Sequence, residues 1–142
     1  ELATGRITSL QFIGPGGSKK LLSGGRKRGC VIYVAGEMKE ARRVLIAEGW
    51  ATCASLSSIE PGALVLSAID AGNLRPVALE ARRLWPDKEL IICPDADPEG
   101  ERKGRAAAVA AGATIAVPRF PEGIAGSDWN DFVNAGFGER QS

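Results

Sequence analysis

From residue 44 to residue 117 the chain alternates short apolar runs with helix-like stretches, and this alternation constrains the fold more than any other feature. Val44–Ala47 reads as a buried strand, and a helix-like stretch runs from Gly49 to about Ile59. Leu64–Ser67 is the next strand. Leu74–Trp85 places Leu74, Val77, Ala78, Ala81 and Leu84–Trp85 on one helical face, and Pro86-Asp87 closes it. Leu90–Cys93 is a third strand, Glu101–Ala111 an Ala-rich helix ended by Gly112, and Thr114–Val117 a fourth strand ended by Pro118. Connections of this length between successive strands demand right-handed crossovers, and so a parallel sheet covered on both faces. The fold class is α/β. Residues 118–142 are loop-rich, with a helical turn expected at Asp131–Asn134 and Asp131 as its N-cap.

Before residue 40 the pattern differs. Ile7–Ile13, Lys20–Leu22 and Cys30–Ala35 are short β-like runs separated by Gly14–Gly17 and Gly24-Gly25, which predicts a small antiparallel sheet. Two regions are expected: a β-rich lead-in over 1–40 and the α/β body over 41–142. Charge follows the same division. Residues 1–30 hold Arg6, Lys19, Lys20, Arg26, Lys27 and Arg28 against Glu1 alone, whereas the remainder holds twelve basic and sixteen acidic residues. A basic front joined to an acidic body suits a protein that grips phosphate with one part and holds a cation with the other; alternatively, Arg26–Arg28 is a solvated turn.

The chain has no histidine and no Cys-x-x-Cys pair. Ser-His-Asp and Cys-His catalysis and a Cys/His zinc finger are therefore excluded. Cys30, Cys53 and Cys93 are odd in number and widely spaced, as buried thiols rather than a disulfide framework would be. No apolar run is long enough to span a bilayer, and the first residues lack the signal-peptide pattern, so a cytoplasmic location is expected. Hydrolytic or transfer chemistry here must use carboxylates, with or without a hard metal ion.

The acids gather where such chemistry is usually placed, at the carboxyl ends of strands. Glu48 follows the first strand of the body, with Gly49 allowing a tight turn. Asp95 and Asp97 follow the third, within Pro94–Gly100. If these strands are neighbours, as in a flavodoxin-like order, three carboxylates converge and repel one another unless a cation lies between them. Oxygen donors with retained water suit Mg²⁺. An EF-hand fails, because its twelfth position is Ala106 and a strand precedes the loop. A haloacid-type phosphatase would carry Asp-x-Asp after the first strand, with a Thr shortly after it.

Four elements resemble the Toprim domains of plasmid and phage primases. Val44–Leu56, with its Glu48-Gly49, resembles the first Toprim motif, and Pro94–Gly100 the second. Ala71–Ala78 looks like the Gly-Asn-Leu element of those primases, and Ser127–Phe132 resembles their closing Asp-x-Asn-Asp element. Ser9–Ile13 and Gly17–Lys20 look like the segment leading into the primase core. The housekeeping bacterial primases have an acid four residues beyond the motif glutamate; this chain has Thr52, which matches the plasmid and phage branch.

The resemblance implies a Rossmann-like, mainly parallel sheet flanked by helices, belonging to a fragment of a longer primase or primase-helicase. It implies RNA primer synthesis from nucleoside triphosphates on single-stranded DNA, with a replicative helicase as partner in cis or in trans and no membrane association. By resemblance Asp95 and Asp97 hold Mg²⁺ or Mn²⁺, Glu48 is a ligand or a general base, and Asp128 is a further ligand, with Asn130 and Asp131 behind it. Lys19, Lys20, Arg26, Lys27 and Arg28 contact template or nucleotide phosphates. The bases on the helix faces, Arg82, Arg83, Arg102, Lys103 and Arg105, are expected to be solvated, and Trp129 to be core. A Toprim nuclease and a non-catalytic nucleic-acid-binding module remain the alternatives.

Overall fold

The computed structural model describes residues 1–138; the last four positions of the 41–142 region lie outside them. Two short strands, β1 (Gln11–Ile13) and β2 (Lys19–Leu21), pair antiparallel as a hairpin, Phe12 opposite Lys20. The main sheet has five strands: β3 (Ile32–Ala35), β4 (Arg43–Ala47), β5 (Leu64–Ser67), β6 (Glu89–Cys93) and β7 (Thr114–Ile115). Their order is β3-β5-β4-β6-β7, with β3 antiparallel and all others parallel. The run Cys30–Ala35, expected in the small sheet, instead supplies the edge strand of the large one. An antiparallel edge on a parallel sheet is common, and local patterning cannot reveal which partner an isolated strand will find.

Four α-helices cover the sheet: α1 (Trp50–Ile59), α2 (Leu74–Leu84), α3 (Pro98–Ala111) and the short α4 (Trp129–Phe132). Alternation along the central strands splits the core. Val44, Ile46, Leu64, Leu66, Leu90 and Ile92 face α2 and α3, whereas Leu45, Ala47, Val65 and Cys93 face α1 and Trp129. Both sides of β4 and β5 are therefore buried, which is why their sequences read as unbroken apolar runs. α2 buries Leu74, Val77, Ala78 and Ala81 against Ala107, Ala108 and Ala111 of α3. Small side chains on facing helices let the two axes approach closely.

Helix ends follow their capping chemistry. α3 starts three residues before the Glu101 expected from periodicity, because Asp97 caps it with Pro98 in its first turn. It ends at Gly112, whose φ of 58° is left-handed. α4 is capped by Asp128, whose Oδ1 accepts from Asp131 N–H at 2.8 Å, so Asp131 is not the N-cap. Asp131 reaches back to accept from Ser127 N–H at 2.8 Å. These reciprocal bonds resemble a capping box.

Arg82 is not solvated. Its Nε donates to Ala111 O and its Nη2 to Gly112 O, while Nη1 donates to Pro86 O and Lys88 O, each at 2.9 Å. One guanidinium thus closes the end of α3 and the turn after α2, with its positive charge at the negative end of a helix. Arg82→Ala is expected to cost about 1–3 kcal/mol by exposing these carbonyls without a donor. An unfolding free energy from urea titration lowered by less than about 0.5 kcal/mol would count against this role.

Candidate active site: a carboxylate crevice between two central strands

β4 pairs with β5 on one side and β6 on the other, so chain order reverses at β4. Ala47 lies opposite Cys93, and this register brings the residues just beyond each strand level with one another. Glu48 thereby meets the Asp95 loop, and its Oε1 accepts from Asp95 N–H at 3.2 Å. The expected adjacency of the first and third strands of the body is present, and with it the switch-point crevice.

Three of the four acids are positioned by different local devices, Glu48 through its backbone. Ser67, fully buried at the end of β5, donates from Oγ to Glu48 O at 2.9 Å and accepts from Ile69 N–H at 3.2 Å. Ile69 has a φ of 78°, a strained conformation for a β-branched residue. Asp97 Oδ1 accepts from Glu99 N–H at 2.9 Å and Gly100 N–H at 2.8 Å. Thr52, buried on α1, donates from Oγ1 to Asp128 Oδ2 at 3.2 Å. Asp95 alone has little to hold it: its Oδ1 is buried and, among the described residues, has no hydrogen-bond partner.

The charges press on one another. Burial, then the charges of Glu48, Asp128 and Asp97, push the Asp95 carboxyl up to about 7, and Lys19 partly offsets the rise. Glu48 is also raised, by burial first and then by Asp97 and Asp70; the Asp95 N–H and Lys103 work in the other direction. A half-buried acid with an orphaned oxygen and three negative neighbours is a favourable place for a cation. Among the described residues, no three His, Cys, Asp or Glu side chains stand together in metal-holding geometry. Asp97 and Asp128 are turned toward the helix ends they cap.

The basic residues divide. Lys19 reaches the crevice, and a Cβ on Gly49 would lie 3.3 Å from its Nζ. Lys20 is exposed and, by strand alternation, on the opposite face of β2. Lys27 pairs with Asp70 beside the crevice, and Arg26 pairs with Glu1 away from it. Arg28 lies with Arg26 and Arg83 along a groove against α2. Asn130 accepts from Ser55 Oγ at 2.9 Å. Trp129 packs against the core and donates to Ala116 O at 3.4 Å, as a core residue would. The three cysteines are buried and free, and burial pushes the Cys53 thiol up to about 12 and raises Cys93 as well, so neither is a nucleophile at neutral pH.

Four residues that shape the site were not singled out in the sequence. Ser67 is one, and Asn73, known there only as part of a resemblance, is another. The others are Gly100 and Gly104. A Cβ on Gly100 would lie 2.7 Å from Asp95 O and 3.0 Å from Glu48 Oε1, and one on Gly104 would lie 2.6 Å from Pro94 Cγ. The Gly-x-x-x-Gly spacing on α3 was the available signal: small residues four apart mark a close approach. Here the glycines bring the helix onto the Asp95 loop.

Comparison with known proteins bears on the family and the fold. The Toprim domain family matches residues 43–137. The chain is 32% identical over 132 residues to a DNA primase TraC of Escherichia coli, covering 85% of this chain and 12% of that protein. A second Escherichia coli DNA primase TraC is 33% identical over 129 residues, covering 83% of this chain and 9% of that protein. The chain thus spans a small part of these relatives. Among solved structures it is similar to the primase fragment of the bacteriophage T7 primase-helicase protein, with a TM-score of 0.68 at 15% identity, over 94% of this chain and 55% of that one. It is also similar, with a TM-score of 0.65 and 15% identity, to a structure of T7 lagging-strand DNA polymerase interacting with primase domains bound to an RNA/DNA hybrid and dTTP, over 94% of this chain and 67% of that one. At that identity these structures speak to the fold alone. With its family match over most of the chain and its mainly parallel sheet carrying acids at two adjacent strand ends, the chain belongs to the Toprim domain family.

Proposed function

We propose that this chain is the Toprim catalytic domain of a DNA primase, serving metal-dependent nucleotidyl transfer that builds RNA primers on single-stranded DNA. The observation that carries the reading is the crevice itself: the charges of Glu48, Asp97 and Asp128 bear on Asp95, whose buried oxygen has no hydrogen-bond partner among the described residues. Similarity to the TraC primases supports the same assignment. On this reading residues 1–40 are the lead-in to the catalytic core and 41–142 the Toprim domain. The template, nucleoside triphosphates and a replicative helicase are the partners of the parent protein.

The donor set is all oxygen, partly desolvated and mutually repelling, which fits Mg²⁺ or Mn²⁺. Asp95 and Asp97, with Glu48 and Asp128, would hold the ion; Mg²⁺ usually takes one or two carboxylates and completes its shell with water and substrate phosphates, so a closed protein cage is not required. When bound, such an ion neutralises charge on a transferring phosphoryl group and lowers the pKa of an attacking 3′-hydroxyl. Glu48, with its raised pKa, serves as a ligand or accepts that proton. Lys19 holds phosphate at the Gly49 edge, while Lys20, Lys27, Arg26 and Arg28 grip the template backbone without reading its sequence.

A titration with Mg²⁺ or Mn²⁺, with and without ATP, tests the reading against Asp95→Ala/Asp97→Ala. Metal binding strengthened by ATP and lost in the variant is the expected result. Equal binding by both proteins would remove the carboxylates from the metal site. Primer synthesis by the unsubstituted parent protein, lost with the same substitutions, then separates a primase from a Toprim nuclease or a binding module.

A further inference from the structure

We propose that Lys103 is a second phosphate-binding lysine of the crevice, engaging the triphosphate of the incoming nucleotide from the α3 side. The inference rests on the nucleotide-transfer reading above. Three basic residues lie in sequence reach of Asp97 on α3, and they differ in placement. Arg102 is exposed, and Arg105 is paired with Glu101 on the outer surface. Lys103 lies at helical spacing with Gly100, Gly104 and Ala107, the buried side of α3, and its side chain is only 32% exposed. Its Nζ leans across to the turn after β5, where a Cβ on Gly72 would lie 4.0 Å from it. The same Cβ would lie 3.3 Å from Asp70 Oδ1, so the ammonium lies in the neighbourhood of Asp70, and its charge is felt at Glu48. Lys19 lies beside Gly49. Two lysines thus act on the carboxylates from different elements, Lys19 on Asp95 and Lys103 on Glu48.

A lysine side chain held two-thirds out of solvent leans on a partner for its charge. The partner here is Glu99, 2.5 Å from Nζ and 66% exposed, and an exposed pair of this kind is weak. A triphosphate brings more negative charge than one carboxylate and can take Lys103 from Glu99 by rotation of the lysine side chain. A monophosphate has neither that charge nor that reach.

The test is calorimetric titration of residues 1–142 with ATP and with AMP at saturating Mg²⁺, for the wild type, Lys103→Met and Glu99→Gln. Mg²⁺ alone is titrated in parallel. Lys103→Met is expected to weaken ATP about tenfold, the size of one charged phosphate contact, with AMP within about twofold of wild type. Its Mg²⁺ affinity is expected to hold or rise, since a cation beside the carboxylates has gone. Glu99→Gln is expected to tighten ATP by about two- to threefold by releasing the lysine. Unchanged ATP binding by Lys103→Met overturns the proposal, and so does an equal loss of ATP and AMP by a variant whose circular dichroism and melting temperature match the wild type. Wild-type protein that binds Mg²⁺ but not ATP overturns the nucleotide reading itself, and this inference with it.

Discussion

Replacing Asp95 with Asn is expected to abolish nucleotide transfer in the parent protein while making the metal-free fold more stable at alkaline pH. The two effects share one cause. Asp95 is held at about 7 by burial and by Glu48, Asp128 and Asp97, against a usual value near 3.8. The folded chain therefore binds this proton more tightly than the unfolded chain does. Its contribution to stability is complete below about pH 4 and is lost as pH rises through about 7. Glu48 acts in the same direction. Because Asp95 is only half buried, solvent screening reduces the penalty to about 2 kcal/mol between pH 5 and pH 8, well below what the full shift implies. Asn carries no such charge, so in chelator its melting temperature is expected to fall less over that range, by several degrees. The same variant loses a metal-holding oxygen, and transfer is expected to drop by on the order of 10³-fold or more. Thermal melts at pH 5 and pH 8 decide the first part: parallel pH profiles for wild type and variant would mean that no repulsion is stored at Asp95.

Asn73→Ala is expected to give the largest loss of stability. Asn73 is buried, and its Nδ2 donates to Cys30 O and Ala68 O at 2.9 Å and to Lys27 O at 3.1 Å, while its Oδ1 accepts from Gly29 N–H at 2.9 Å. One amide therefore ties residues 27–30 to the end of β5. Beside it, Asp70 accepts from Asn73 N–H and pairs with Lys27. Alanine leaves one donor and several acceptors without partners, at a cost of about 3 kcal/mol. The consequence is not only thermodynamic. The lead-in carries Lys19, so loosening it should weaken ATP binding and open residues 1–30 to protease. An unfolding free energy from urea titration within about 1 kcal/mol of wild type, with residues 1–30 still protected, would show that the clip is dispensable.

The parts of the fold decided by periodicity are legible in the sequence. Strands β4, β5 and β6 are short runs of Val, Leu and Ile with no competing helical period. α2 repeats its apolar residues at helical spacing, and Gly112 is the left-handed stop of α3. The acids at Glu48, Asp95 and Asp97 could also be placed, because a residue just beyond a strand in a parallel sheet lies at the edge where ligands bind. What a local pattern cannot supply is a partner. Cys30–Ala35 is as good a strand for the small sheet as for the large one, and only β5, with an unpaired edge, decides between them. The lysines and arginines of residues 19–28 have similar composition and no periodicity to orient them. Folding sends Lys19 to the carboxylates, Lys20 to the opposite face and Arg26 to Glu1. Arg82 is the same case: a charged residue on a helix normally reads as solvated, and it becomes a cap only because the end of α3 arrives beside it. Sequence by itself determined the order of elements, the placement of acids just beyond two strands and the lack of histidine or Cys-x-x-Cys pairs, since these depend on residue type and spacing along the chain. Tertiary structure alone decided which charges meet, through the register of Ala47 with Cys93 and the close approach of Gly100 to Asp95, because proximity between distant residues is set by packing.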